Sequence, residues 1–242
     1  MLIIQKEIGG MKNVHIDIVG KHRFNKISAI IEANLLRICR LFCWSLGKHI
    51  DVAFSNSFLV GIVCTFRGVT SYAFGDDLRK MDYTIKSWFN KRSFYCIYKL
   101  PENLKNIYNK KNSEILPVLK EWSYLSPSVF TPSVDALKEY GIEPKEYIFL
   151  REVSVGTVNY TNQASGAILN IKNLLPKNKK ILFSLEDKAK RDLYPKDWIL
   201  LQEPIKDIHS LIYYSAALVS SGDSMAREAA QLGVPAYYLG VR

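Results

Sequence analysis

Short apolar runs alternate with helical patterns along the second half of the chain, and this alternation constrains the fold most. Strand-like runs occupy Glu146–Val153, Lys180–Leu185 and Trp198–Gln202, and a helical pattern at Ile205–Ser215 precedes the apolar run ALVSS at 217–221. Strands separated by helices are joined by crossovers, which make neighbouring strands parallel and put helices on the faces of the sheet. The second half therefore predicts an α/β domain with a parallel sheet.

The first half shows the same alternation in a less regular form. Val14–Gly20 alternates with period two and predicts a strand, and Phe24–Lys48 carries apolar residues at helical spacing. Two further strands are predicted at Asp51–Ser55 and Val69–Gly75, with an apolar segment at 58–68 between them. We interpret that segment as a helix or a buried run, so the first half also predicts an α/β domain.

Prolines and polar residues interrupt the pattern between the two halves. The stretch 101–133 has no long clean period, and this composition is typical of a connection. Its prolines are Pro101, Pro117, Pro127 and Pro132. We predict that this stretch contains the crossing between two domains, 1–118 and 119–242.

The net charge of +10 indicates a surface that attracts anions. Basic and aromatic residues are interleaved in Lys86–Asn112, where Glu102 is the one acid. Two interpretations stay open for this segment: a solvated basic face, or a peripheral contact with a membrane surface or with an acidic or lipid-linked acceptor. No nucleic-acid-binding motif accompanies the charge, so nucleic acid is not expected as a partner.

The apolar runs are too short for a transmembrane helix. The longest weakly polar run, Val52–Phe66, falls short of the roughly 20 residues that cross a bilayer. The first residues do not form a secretory signal, so a cytoplasmic protein is expected. The cysteines form no C-x-x-C pair and are predicted to be core thiols, and no metal site is predicted. They are Cys39, Cys43, Cys64 and Cys96.

The motif SSGDS at 220–224 lies where an apolar run ends and a helical pattern begins. Ligands of open α/β sheets bind at this carboxyl end of a strand, and the first turn of the next helix offers N–H groups to an anion. Gly222 would let the backbone turn tightly beside a ligand. Ser224 would cap the helix or donate its hydroxyl to a phosphate. The pattern predicts either a phosphate cradle or an ordinary capped turn.

Glu228 lies one helical turn beyond Ser224. Its carboxylate has the chemistry to accept two hydrogen bonds from a vicinal diol such as that of a ribose. A capping role, or an exposed ion pair with Arg227, is the alternative. The helix that carries these residues is predicted to end at Gly233 and Pro235.

The segment SGDSMAREAAQLGVP at 221–235 resembles the part of GT-B sugar-nucleotide enzymes in which a small loop opens a helix ending EA-x-x-LG-x-P. The murein glycosyltransferase and the UDP-N-acetylglucosamine 2-epimerases carry versions of it. A further archaeal and bacterial family of that superfamily is similar at VGKH (19–22), KEWSYL (120–125) and YIFLREVS (147–154). The resemblance implies an α/β fold with two Rossmann-like domains of GT-B type, parallel sheets covered by helices, and the ligand in the cleft between the domains.

The resemblance also implies that the second domain holds a nucleotide-sugar donor, a UDP-sugar above all, with no metal and no other cofactor. The turn would meet the diphosphate, and Glu228 would hold the ribose hydroxyls. Arg151 would pair with a phosphate, or alternatively form a salt bridge to Glu152 or Asp223. His209 would line the nucleotide site or be structural. The implied substrate-binding residues are Arg151, Ser154, His209, Ser221, Gly222, Asp223, Ser224, Met225 and Glu228.

The related epimerases resemble the chain around 51–80, where they use an Asp after the second strand and a Glu after the third. Here the first position reads Ser55-Asn56-Ser57, and Gly75 falls near the second, followed by Asp76 and Asp77. An amide or hydroxyl cannot replace a carboxylate as the general acid or base. Asp76 and Asp77 are therefore the candidates for a catalytic base, with a polar helix-capping turn as the alternative.

The leading hypothesis is a metal-independent GT-B glycosyltransferase in which Asp76 or Asp77 activates an acceptor hydroxyl. One alternative is an epimerase acting on a UDP-N-acetylhexosamine. Another is a non-catalytic, membrane-associated protein that binds a nucleotide sugar. The GT-B pattern also has an opening strand with a glycine-rich turn and a set of closing helices, so we expect an incomplete first domain and a second domain without its final helices.

Overall fold

The chain forms two compact units, Met1–Lys120 and Glu121–Arg242. The computed structural model describes residues 12–20, 26–76, 80–97, 102, 112–154, 166–202 and 205–240. Each unit contains one parallel β-sheet, and helices lie along the chain between several of its strands. The predicted α/β class is confirmed in both halves of the chain.

The sheet of the first unit has four parallel strands that follow chain order, β1-β2-β3-β4. The strands are β1 (Val52–Ser55), β2 (Thr70–Gly75), β3 (Arg92–Cys96) and β4 (Ser113–Leu116). The helices are α1 (Lys26–Ile31), α2 (Arg37–Leu46), α3 (Phe58–Arg67) and α4 (Lys80–Phe89). Helix α3 packs against β1, β2 and α4, so the first crossover lies on the sheet.

Small residues on β2 and β3 form one buried face of the sheet. Ser71, Ala73 and Ser93 are buried at alternate positions, and Gly75 continues the same face. A Cβ atom on Gly75 would lie 2.8 Å from the ring of Tyr95, which is itself fully buried. Glycine is therefore required at position 75 by the close approach of that ring.

The predicted strand at Val14–Gly20 is wrong, because the described residues 12–20 contain no strand. Side chains hold this segment instead: Trp44 Nε1 donates to Asp17 Oδ2 at 2.7 Å, and Lys48 Nζ lies 3.1 Å from the same oxygen. An alternating pattern becomes a strand only where a neighbouring strand completes the backbone ladder. Here Asp17 contacts α2 and the segment that follows it.

The long helix predicted at Phe24–Lys48 is confirmed in type, and a π-helical turn at Glu32–Leu36 joins α1 to α2. Its apolar stripe is not uniformly covered. Ile30 and Leu35 are 50% and 62% exposed, whereas Ser45 is buried. Helical spacing therefore located the helix but did not identify which of its residues are buried.

Two strands of the first sheet were not predicted. Strand β3 lies inside the basic segment Lys86–Asn112, and β4 lies inside the stretch interpreted as a crossing between domains. Both are short, and parallel pairing with neighbours distant in sequence decides them. Within the basic segment, residues 98–101 and 103–111 lie outside the part of the chain that the structure describes.

The sheet of the second unit has five parallel strands in the order β7-β6-β5-β8-β9. The strands are β5 (Tyr147–Glu152), β6 (Lys180–Leu185), β7 (Ile199–Leu200), β8 (Ala217–Ser220) and β9 (Ala236–Tyr238). The helices are α5 (Trp122–Leu125), α6 (Asp135–Lys138), α7 (Ala167–Asn170), α8 (Ile208–Tyr213) and α9 (Asp223–Gln231), and 3-10 turns lie at Lys172–Leu174 and Lys188–Leu193. The four strands predicted in this half are confirmed, β6 with its predicted bounds and β5, β7 and β8 with shorter ones.

Strand β5 lies at the centre of this sheet and is buried on both faces. Phe149 packs in one cluster with residues of α8 and α9, and Leu150 packs in another with Tyr194 and Trp198. Such a strand is apolar at nearly every position, which explains why its sequence is a continuous run. The two clusters fix the position of β5, and with it the residues at its carboxyl end.

Among the residues that the structure describes, no helix is long and apolar enough to span a bilayer.

Candidate functional site

The carboxyl ends of β5, β6 and β8 meet at one edge of the second sheet. Arg151 on β5 is in register with Ser184 on β6 and with Ser220 on β8. In open α/β sheets this edge is where ligands bind. The sheet therefore brings together three chain segments that are far apart in sequence.

Arg151 is held at this edge by polar groups at the end of β6 and directly after it. Its Nη1 donates to Ser184 Oγ at 2.8 Å, and its Nη2 lies 3.4 Å from Glu186 Oε2. The same carboxylate oxygen accepts from the Ser154 N–H at 3.0 Å. The salt-bridge partner of Arg151 is thus Glu186, which the sequence analysis did not name, and one carboxylate links Arg151 to Ser154.

Glu152 is a buried anchor behind this edge. Its Oε2 accepts from the Ile168 N–H at 2.8 Å and from the Tyr194 hydroxyl at 3.2 Å. Burial, and then the Glu152 carboxylate, raise the pKa of Tyr194 well above its usual range, so the phenol remains a donor at neutral pH. This carboxylate therefore fixes the start of α7 next to the end of β5.

The serines of the SSGDS motif are used inside the protein. Ser220 Oγ accepts from the Gly222 N–H at 3.0 Å and donates to the Gly222 carbonyl at 2.6 Å. Ser221 Oγ accepts from the Val153 N–H at 2.9 Å, and both serines are fully buried. These hydroxyls close the turn and tie it to the end of β5, so any ligand contact of Ser221 would add to a structural role.

Of the two alternatives for Ser224, the capping role is wrong. Gly222 has φ −109° and ψ 139°, an extended conformation that other residues also adopt, so the turn does not depend on a left-handed glycine. Helix α9 begins at Asp223 with Gly222 as its N-cap, so Ser224 is not the cap. A glycine N-cap contributes no side chain to satisfy the first amides of the helix.

The first residues of α9 differ in the exposure and charge of their side chains. Ser224 is exposed, whereas Met225 is half-buried and packs against the core. The Asp223 carboxylate lies 3.9 Å from Arg227 Nη2. A carboxylate at the first helical position is favoured by the same helix dipole that attracts a phosphate. The Asp223 carboxylate and an anionic ligand would therefore compete for the positive end of the helix dipole. The backbone N–H of Asp223 lies at the same helix start.

Glu228 is engaged by two side chains from other helices. The Tyr124 hydroxyl donates to Glu228 Oε1 at 2.9 Å, and His209 Nε2 lies 3.6 Å from Oε2. The His209 ring also lies against the rings of Tyr124 and Phe130, at centroid distances of 5.6 Å and 5.9 Å. The neighbouring Arg227 lies 3.2 Å from a Glu121 carboxylate oxygen and 3.9 Å from one of Asp223.

A buried ion pair lies beside Glu228. Arg227 Nη2 is 3.2 Å from Oε1 of Glu121, whose side chain is 1% exposed. Among the described residues neither oxygen of Glu121 receives a hydrogen bond of good geometry, so the contact is an ion pair with poor hydrogen-bond alignment. The pair joins the start of α5 to α9, which pack against each other.

In the first unit, polar groups also follow the ends of β1 and β2. Asp76 forms an ion pair with Lys120, and Asp77 lies outside the described residues. Ser55 Oγ accepts from the Ser57 N–H at 2.9 Å, and Ser57 Oγ accepts from the Leu59 N–H to cap α3. Asp76 is therefore the described carboxylate that follows β2, while Ser55 and Ser57 stabilise a capped turn.

Across the described part of the chain, no group of three or more His, Cys, Asp or Glu residues is arranged to hold a metal ion.

No protein-family model and no curated protein matches the sequence. Solved structures do match. The UDP-N-acetylglucosamine 2-epimerase of Rickettsia bellii has a TM-score of 0.55 and 14% identity, over 88% of this chain and 61% of its own. That of Methanocaldococcus jannaschii has a TM-score of 0.59 and 12% identity, over 96% and 71%. Staphylococcus aureus MnaA, solved with UDP, has a TM-score of 0.62 and 10% identity, over 88% and 62%.

The chain has the fold of the UDP-N-acetylglucosamine 2-epimerases. The predicted GT-B type with two Rossmann-like units is thereby confirmed at the level of fold. The chain spans 61% of the Rickettsia epimerase and 62% of MnaA.

Within this epimerase fold, the structure brings several predicted residues together. Arg151 and Ser154 share Glu186, and His209 meets Glu228. Ser224 and Met225 are not joined to either group in the described contacts. The sequence analysis did not identify three residues that contact the predicted site residues or their neighbours, namely Tyr124, Glu121 and Glu186. The motif KEWSYL carried a signal for the first two, but an isolated motif does not reveal which helix it packs against.

Proposed function

We propose that this protein binds a UDP-linked N-acetylhexosamine and acts on it as an epimerase-like enzyme. The observation that carries the proposal is the likeness in fold to UDP-N-acetylglucosamine 2-epimerases over 88% and 96% of the chain. A further Methanocaldococcus jannaschii epimerase structure contains UDP-GlcNAc and UDP, and MnaA was solved with UDP. Both support a UDP-sugar as the ligand class.

The second unit would hold the nucleotide. Backbone N–H groups at the start of α9 would face the diphosphate, because Gly222 adds no capping side chain there. Arg151 would contribute positive charge at the same sheet edge. Its contact with Glu186 is 3.4 Å long, at the weak end of the range for a hydrogen bond, so a phosphate would compete for it. Glu228 would accept from the ribose hydroxyls.

The first unit would supply the proton transfer. Inverting C2 of the sugar requires a base that removes the C2 proton while the C1–O bond to UDP breaks and UDP leaves with its electron pair, and an acid that returns a proton to C2 from the opposite face as that bond forms again. Asp76 is the carboxylate that we assign to one of these roles, with Lys120 as the cation that holds it in place. The other of these two roles has no carboxylate at the position where the related epimerases use an Asp after the second strand, because this chain has Ser55-Asn56-Ser57 there.

That missing carboxylate favours a second candidate, glycosyl transfer. A GT-B transferase needs a single base to activate the acceptor hydroxyl, and it stabilises the departing diphosphate with positive groups and helix amides. Asp76 alone would meet that requirement. The two candidates share the nucleotide site and differ in whether the sugar is transferred to an acceptor.

The experiment incubates the full chain with UDP-N-acetylglucosamine, without acceptor, and separates the two C2 epimers by chromatography. Epimer formation that is lost in Asp76→Asn, while calorimetry still detects UDP binding, supports the proposal. Binding without any epimer supports glycosyl transfer instead. Failure of the wild-type chain to bind either UDP or UDP-N-acetylglucosamine overturns both candidates.

A further inference from the structure

Tyr124 makes the closest described contact with Glu228. Its hydroxyl donates to Oε1 at 2.9 Å, while the nearest His209 nitrogen is 3.6 Å from Oε2. This hydrogen bond restricts rotation of the Glu228 carboxylate about the Cγ–Cδ bond, because turning Oε1 away from the phenol breaks a charge-assisted hydrogen bond. The direction in which Glu228 presents its oxygens therefore depends on Tyr124.

The phenol remains a donor under ordinary conditions. Burial raises the pKa of Tyr124 well above its usual range, and the hydrogen bond and negative charge of Glu228 raise it further. The hydroxyl therefore carries its proton throughout the neutral range. The donor role in this contact does not switch with pH near neutrality.

The element that carries Tyr124 is itself fixed to α9. Helix α5 packs on α9, and the Glu121–Arg227 ion pair joins the two immediately next to Glu228. The ring of His209 lies against the rings of both Tyr124 and Phe130. Tyr124 thus acts from a rigid support, which a positioning group requires.

We infer that Tyr124 is a positioning residue that aims the Glu228 carboxylate at the 2′- and 3′-hydroxyls of the ribose. This inference rests on the proposed function, in which Glu228 is the ribose contact. Tyr124 would act on the nucleotide through Glu228, and nucleotide binding would thereby favour ribose over deoxyribose.

The test measures by calorimetry the affinity of the full chain for UDP and for 2′-deoxyuridine 5′-diphosphate. Tyr124→Phe removes the donor and keeps the ring. We expect it to weaken UDP binding about three- to tenfold, the effect of one hydrogen bond. The same substitution is expected to change binding of the deoxynucleotide less than about twofold, and to have no effect on UDP binding in a Glu228→Gln background.

Tyr213→Phe is the matched control, because Tyr213 is 38% exposed and Tyr124 is 37% exposed. It is expected to leave both affinities unchanged. The ratio of the two affinities is measured within one variant, so partial unfolding does not alter it. Equal weakening of both ligands, or no weakening of UDP, overturns the role of Tyr124 while leaving the proposed function intact. A wild-type chain that binds neither ligand overturns both.

Discussion

Replacing Arg227 with methionine tests the balance of charges around α9. The substitution keeps a long unbranched side chain and removes the guanidinium that faces Glu121 at 3.2 Å. The Glu121 side chain is 1% exposed, so its carboxylate would stay in the interior without its cation. A buried charge without a partner is far more costly than a missing contact at the surface.

The expected cost is about 3 kcal/mol of unfolding free energy. Removing one partner of a buried ion pair costs roughly 3–5 kcal/mol. The lower end applies here, because the Arg227 side chain is 27% exposed and water reaches the vacated position. For a chain of this length, that loss lowers the melting temperature by roughly 6–12 °C.

The assay is urea and thermal unfolding of the full chain followed by circular dichroism. Lys138→Met serves as the matched control, because it breaks a largely exposed pair with Asp135, and we expect a much smaller change. The double variant Glu121→Leu with Arg227→Met should recover most of the loss, since no charge is then left buried. Equal destabilisation by Arg227→Met and Lys138→Met, or a double variant no more stable than Arg227→Met, would refute this reasoning.

Three further predictions concern stability. Gly75→Ala should cost about 1–3 kcal/mol in urea unfolding, because its Cβ would lie 2.8 Å from the buried Tyr95 ring; a neutral result contradicts that packing. Phe149→Ala, in the middle of the central strand, should cost about 3–5 kcal/mol in the same assay. The hydrogen bond from Lys48, and then that from Trp44, lower the pKa of Asp17. Asp17 therefore stabilises the fold above its unfolded pKa of about 4 and stops doing so as the pH falls through its folded pKa. The difference in melting temperature between wild type and Asp17→Asn should accordingly be present at pH 7 and shrink with acidification; a difference that grows in acid contradicts it.

Part of the site could be read from local patterns. The apolar run before Ser220, the small residues of the turn and the helix that ends at Gly233 were all predicted, and the structure contains β8, the turn and α9 in that order. These features depend on neighbours in sequence: burial of a short strand, the room needed for a turn, and the left-handed conformation at Gly233. For the same reason the class of fold was predictable.

The contacts of the site were not predictable, because they join segments far apart in sequence. Arg151 pairs with Glu186, which directly follows the neighbouring strand β6, and not with Glu152, whose side chain points to the other side of β5 and is buried. Likewise the pattern at Val14–Gly20 favoured a strand, but no described strand pairs with it.

Local sequence was therefore sufficient for the four predicted strands of the second unit and for the glycine that ends α9, since these follow from backbone preference and the period of apolar residues. Which carboxylate faces which cation, which stripe is buried and which tyrosine holds Glu228 were decided by packing. Tyr124 and Glu228 are more than a hundred residues apart, and only the folding of α5 onto α9 brings the phenol within hydrogen-bond distance of the carboxylate.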